Sequence, residues 1–165
     1  MAAALLLCVA GEPSHPAGST LSMETEHLTV RATLQPDVVR DGTRMTVAVD
    51  VVPREGMHVY APGSQYRPIG VTLDAHPALT PSAPVYPTPA VYLFKPLNEE
   101  VLAYSEPFRI ALGVDVGAIG PNTSRLRVSG VLTYQACDDR VCYLPDSLPL
   151  EWTVRTIGSF RDVTP

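Results

Sequence analysis

The chain has 165 residues, a net charge of −5 and a pI near 5.3, which is long enough for one domain with a real core. That acidic balance, with no lysine or arginine cluster, excludes the electrostatic footprint of a nucleic-acid binder or of a protein held on an anionic membrane surface. Its 17 prolines are about twice the average usage of roughly 5%, and no apolar run approaches the roughly 20 residues of a membrane-spanning helix.

The first element is Ala2 to Ala10, an uninterrupted apolar run before Gly11-Glu12-Pro13-Ser14. It reads as the remnant of a signal peptide over residues 1–10, cut after Ala10, which would remove Cys8 and leave an even pair of cysteines for an oxidising compartment. A lipid anchor at Cys8 is the weaker alternative, because Leu7 rather than a small residue precedes it. Residues 11–25 are polar and unpatterned and are expected to be a flexible lead-in.

The domain proper is expected over 26–157, with a tail at 158–165. Leu28, Val30, Ala32 and Leu34 alternate with polar neighbours, as do Met45, Val47, Val49 and Val51. Asp41-Gly42 between them is a turn signal. Met57 to Gly63 is a short strand running into a turn, and Val71 to Asp74 is another candidate strand. Five prolines (Pro77, Pro81, Pro84, Pro87 and Pro89) make 77–89 an edge segment or extended loop. Val91 to Glu100 reads as a loop with an aromatic tip, followed by Val101 to Tyr104. Phe108, Ile110, Leu112, Val114 and Val116 form the clearest alternation. Leu126, Val128, Leu132 and Tyr134 share one parity on the next strand, and Leu148, Leu150, Trp152 and Val154 share one on the last. Seven to nine half-buried strands without an amphipathic helix predict an all-β fold, two antiparallel sheets packed face to face. Parity places Val47, Val49, Ile110, Leu112, Val128, Leu132, Leu150 and Trp152 in the core.

Cys137 and Cys142 follow the cysteine strand with four residues between them. Facing each other across a short hairpin loop, they could form a disulfide that removes little unfolded-state entropy, about 2 kcal/mol. Cys137 falls on the polar parity, so a continuing strand would turn its sulfur to solvent. Spacing alone leaves a structural clip and an exchangeable pair equally open. No C-x-x-C of thioredoxin-like enzymes is present. No metal or other cofactor is expected, because the four histidines, His15, His27, His58 and His76, form no H-x3–5-H pair. Tyr134 and Trp152 are expected in the core, Tyr60 and Tyr143 are candidates to flank the sulfurs, and His58 is expected half-exposed.

Two stretches carry a resemblance: Gly56-Met57-His58-Val59-Tyr60-Ala61-Pro62, and Leu132-Thr133-Tyr134-Gln135-Ala136-Cys137-Asp138-Asp139-Arg140-Val141-Cys142-Tyr143-Leu144-Pro145. They resemble the N-terminal periplasmic domain family of the thiol:disulfide interchange protein DsbD, over about residues 26–157. The resemblance implies an immunoglobulin-like sandwich in the periplasm, free or membrane-anchored, with Cys137 and Cys142 as an electron-shuttling pair. It implies a thioredoxin-like domain or membrane electron conduit as reductant. The implied acceptor is a periplasmic disulfide isomerase or a cytochrome-maturation thioredoxin. A monomer without nucleic acid is expected. The family shields its disulfide with an aromatic-bearing loop, and Phe94 is the positional match. In the family the domain is joined to a multi-span membrane domain and a thioredoxin-like domain, which these 165 residues do not include. The alternative reading is a non-enzymatic β-sandwich binding module whose hairpin disulfide is structural.

Overall fold

Strict alternation builds the two main sheets of the computed structural model, which describes residues 18–157. The signal-peptide reading of residues 1–10, Cys8 and the 158–165 tail lie outside the described residues. The first sheet holds β1 (Ser19–Glu24), β2 (Leu28–Gln35), β4 (Arg44–Pro53), β10 (Phe108–Val116) and β7 (Leu79–Pro81), in that spatial order. The second holds β3 (Val38–Val39), β13 (Asp146–Thr156), β11 (Arg125–Tyr134) and β6 (Gly70–Leu73). Pairing is antiparallel throughout, save for the short parallel contact of β3 with β13.

The inner faces meet in one core. Val30, Ala32, Val47, Val49, Ile110 and Leu112 from the first sheet pack with Val128, Leu132, Leu150, Trp152 and Val154 from the second. The Trp152 indole N–H reaches the Ala32 carbonyl across the interface at 3.4 Å. Full burial of each such side chain is worth about 1.5–3 kcal/mol, and all eight residues assigned to the core by parity are buried. This is the immunoglobulin-like antiparallel sandwich, and the described residues contain no helix.

A third, smaller sheet sits beside the sandwich, in the order β12 (Ala136–Cys137), β5 (His58–Tyr60), β9 (Glu99–Tyr104), β8 (Ala90–Phe94). Three expectations need correction. The lead-in is not all unpatterned: Leu21 and Met23 half-bury against the core as β1 pairs with β2, a signal muted by the serines and threonine around them. Val91 to Phe94 is strand rather than loop, pairing with β9 as a hairpin whose turn is 95–98. Apolar residues on both its faces hide the two-residue period. The strands number thirteen among the described residues rather than seven to nine, because several are two- or three-residue edge pieces too short to show a period.

Four of the described residues take positive φ, Gly42, Gly56, Gly63 and Asn98. Gly42 has φ +78°, as the Asp41-Gly42 turn requires, and Asn98 takes φ +51° at the β8–β9 turn. The proline-rich segment runs along the sheet edge, with β7 and then Val85 pairing to β10. That edge placement is where proline's missing donor does least harm.

The disulfide site

The cysteine strand does not run straight through to Cys137. Pairing of β11 with β13 ends at Tyr134. After Gln135 the chain changes sheets, so Ala136 pairs with Val59 and Cys137 with His58. Parity counted along β11 therefore fails, and Cys137 is fully buried instead of facing solvent. Tyr134 stays in the core, its hydroxyl donating to Asp146 Oδ2 at 3.1 Å, with Thr25 Oγ1 3.2 Å from the same oxygen.

Cys137 and Cys142 form a disulfide across the short loop, with Cα atoms 4.0 Å apart. Asp138 shapes the loop. Its Oδ1 accepts from the amides of Arg140 and Val141, both at 2.7 Å, and its Oδ2 accepts from the Tyr143 hydroxyl at 3.1 Å. This is the Asx-type local bonding that favours a tight turn. The Asp138 amide donates to the Val141 carbonyl, and the Tyr143 amide to the Ala136 carbonyl. The Val141 and Arg140 amides hold the Asp138 carboxyl below its ordinary pKa, so the loop keeps a fixed negative charge beside the sulfurs.

Opposed residues of an antiparallel pair point to the same side, as do residues i and i+2 of one strand. One face of the small sheet thus gathers Cys137, His58, Tyr60, Tyr92, Phe94 and Val101. Tyr60 is fully buried with its Oη 3.1 Å from Cys142 Sγ and 3.2 Å from Cys137 Sγ. Disulfide sulfurs carry no proton, so the hydroxyl is the donor. Burial, and then Glu99, push the Tyr60 pKa up, keeping that hydroxyl protonated. Tyr66 stacks on Tyr60 at 4.7 Å and donates to Glu99 at 2.5 Å. That bond lifts the Tyr66 pKa to about 12.

The β8–β9 hairpin is fastened to the cysteine loop through Asp139. The Tyr92 hydroxyl donates to Asp139 Oδ1, and Lys95 Nζ lies 3.2 Å from Asp139 Oδ2. The shared proton pushes Tyr92 up to about 12 and holds Asp139 below the usual carboxylate range. Phe94 is buried at the end of β8, with its ring 6.4 Å from that of His58. Tyr92 rather than Phe94 packs against the cluster around Cys137. Tyr143 follows Cys142, its ring packed tilted against that of His27 with centroids 4.2 Å apart.

His58 is 1% exposed, which corrects the half-exposed expectation. Its ring packs tilted against that of Tyr92, centroids 4.0 Å apart, and neither ring nitrogen has a hydrogen-bond partner. Sequence reasoning missed Tyr92, Tyr66 and Glu99, and read Asp139 only as a charge near the thiolate. The signal for Tyr92 was its parity with Phe94, which only a strand over 90–94 makes visible.

On the rim, Cys142 is partly exposed, between Val141 (50% exposed) and Leu144 (89%). A disulfide with one buried and one reachable sulfur, outside the main core, is suited to exchange with another thiol.

The protein-family description "Thiol:disulfide interchange protein DsbD, N-terminal" matches residues 10–150. The chain belongs to the DsbD N-terminal domain family. Among solved structures, the N-terminal periplasmic domain of ScsB from Proteus mirabilis matches with TM-score 0.51 and 13% identity, over 82% of this chain and 49% of that one. This chain thus spans about half the length of that protein. The Neisseria meningitidis DsbD N-terminal domain in the reduced form matches with TM-score 0.46 and 21% identity, over 70% of this chain and 82% of that one. At 13% identity the ScsB likeness speaks to the fold alone. No curated protein matches the chain. Membership in the DsbD N-terminal family and the Cys137–Cys142 disulfide together support thiol–disulfide exchange.

Proposed function

We propose that this domain shuttles electrons in the periplasm through the Cys137–Cys142 pair. A thioredoxin-like domain or a membrane electron conduit reduces it. It passes the electrons to exported disulfide-containing proteins, such as a disulfide isomerase or a cytochrome-maturation thioredoxin. It works as a monomer, with the β8–β9 hairpin carrying Tyr92 and Phe94 as the cover over the sulfurs.

One observation carries this reading: the two sulfurs differ in access. Cys137 is fully buried, whereas Cys142 sits half-buried beside the exposed side chains of Val141 and Leu144. Cys142 is therefore the sulfur that meets a partner, and Cys137 resolves the mixed disulfide from behind. The apolar rim offers a partner a dry contact around the reacting sulfur. The pair also stands outside the sandwich core, in the satellite cluster with Tyr60 and Val101.

A redox titration tests the proposal. A shuttle has a midpoint above about −300 mV, whereas structural bridges typically lie below it. A Cys137→Ser variant should trap a mixed disulfide with a thioredoxin-like partner through Cys142, and a Cys142→Ser variant should trap far less. A midpoint well below that value, with no trapped species, would leave a binding module with a structural clip.

A further inference from the structure

His58 has no part in the exchange as described so far, yet it is the residue paired with Cys137. The two are directly opposed across the β5–β12 bridge, where Cβ atoms lie about 4.5–5.5 Å apart on the same side of the sheet. The imidazole is buried, and both its nitrogens lack a partner. Leaving buried polar atoms unpaired is unfavourable, and packing alone would be served as well by phenylalanine. In the disulfide form the sulfurs have no proton to offer. Reduction creates an S–H on Cys137 in a place that water does not reach.

We propose that His58 is the general base for Cys137 in the resolving step, an inference that rests on the exchange reading above. In the mixed disulfide, Cys142 Sγ is bonded to the partner's sulfur and Cys137 is a buried thiol. Cys137 gives its proton to an imidazole nitrogen of His58, and its thiolate attacks Cys142 Sγ. The Cys137–Cys142 bond forms as the bond from Cys142 to the partner breaks. The electron pair leaves on the partner's sulfur, which takes the proton from His58 and restores the neutral ring. The domain's two thiols are oxidised to a disulfide and the partner's disulfide is reduced to two thiols.

The surroundings suit that role. Facing His58 are Tyr60 on its own strand, Tyr92 on β8, Cys137 on β12, and Asp138 and Asp139 in the loop. Lys95 and Glu99 stand one contact further out, pairing with Asp139 and Tyr66. Burial is the largest influence and lowers the His58 pKa, so the ring is neutral and able to accept at pH 7. Asp139 and then Asp138 oppose that effect and favour the charged ring once it forms.

Single-turnover oxidation by oxidised glutathione tests this, in the full chain with Cys8→Ser so that two thiols react. Acid quenching and intact mass separate mixed-disulfide formation at Cys142 from its resolution by Cys137. In the parent protein, resolution should level off above about pH 7 and fall as His58 protonates below about pH 6.5. His58→Phe should slow resolution on the order of 100-fold at pH 7 while leaving the first step within about 2-fold. Its rate should then keep rising with pH above 7, because the Cys137 thiolate forms only as the solution becomes more basic. His58→Gln, which keeps polarity and cannot take the proton, should behave alike. The proposal is overturned if either variant keeps the parent profile, or if both steps slow equally. A parent profile that rises throughout without levelling overturns it too, even if both variants fail to fold. If the parent never forms the mixed disulfide, the exchange reading itself is wrong.

Discussion

At the scale of single residues, the site is a small set of groups whose charge states are set by burial and shared protons. Tyr60, Tyr66 and Tyr92 are all pushed up, so they act as donors, while Asp138 and Asp139 are held down and stay anionic. His58 is the group whose neutral form burial favours, and that has a consequence for stability. Its folded-state pKa lies below the unfolded value of 6.5. The unfolded chain therefore takes up the proton first as pH falls. The stability from burying a neutral ring is complete above about pH 6.5 and is lost as the pH falls from there through the folded value. The two aspartates lose theirs only below their own unfolded value of 3.8. Urea unfolding of the oxidised protein should thus show a midpoint that drops between about pH 7 and 5. In His58→Phe the midpoint should change far less over that range. Equal slopes would mean that the ring is not buried neutral.

At the scale of elements, the β8–β9 hairpin and the cysteine loop meet only through side chains, and Asp139 is the shared acceptor. The Lys95–Asp139 pair is exposed on both sides, so solvent screens it and it adds little. The fastening is accordingly weak enough to open. Asp139→Asn should bring the Tyr92 pKa down from about 12 toward 10, read by ultraviolet titration, and should speed alkylation of Cys142 in the reduced protein. Two causes push that rate the same way: a looser hairpin and one less negative charge beside the thiolate. Lys95→Gln separates them, since it loosens the hairpin but removes a favourable positive charge. Faster alkylation in Lys95→Gln would show that opening dominates, and slower alkylation that charge does. Phe94→Ala should also speed alkylation by taking a buried ring out of the hairpin, and an unchanged rate would remove Phe94 from the cover. None of these contacts was legible in the sequence. Val91, Tyr92, Leu93 and Phe94 are apolar on both faces, so the segment has no period to read, and Asp139 looks like any loop carboxylate. The motif around Cys137 and Cys142 was legible, and so was Tyr60 as a neighbour, because both lie in short contiguous stretches.

At the scale of the whole molecule, the sandwich and the disulfide are separate in packing. Val47, Val49, Ile110 and Trp152 were readable because long strands buried on one face must alternate, and a slip of one residue would invert them. Cys137 was misplaced because the same logic was carried past Gln135, where the chain leaves β13 and joins β5. That change of sheets is a tertiary event with no period of its own, and it is what turns the sulfur from the solvent face into the satellite cluster. The separation has a measurable outcome. The disulfide closes a loop of four intervening residues, so removing it returns about 2 kcal/mol of chain entropy to the unfolded state. The main core, held by both sheets, loses no side chain. A Cys137→Ala/Cys142→Ala variant should therefore keep its β-sheet circular dichroism and unfold in one cooperative step, with a midpoint lowered by the equivalent of about 2 kcal/mol. The buried position of Cys137 adds a small cavity, so Cys137→Ala should cost more than Cys142→Ala when each is measured in the reduced state. A double variant that fails to fold would make the bridge a structural staple. Equal single costs would mean that the access difference between the two sulfurs is not the one the packing describes.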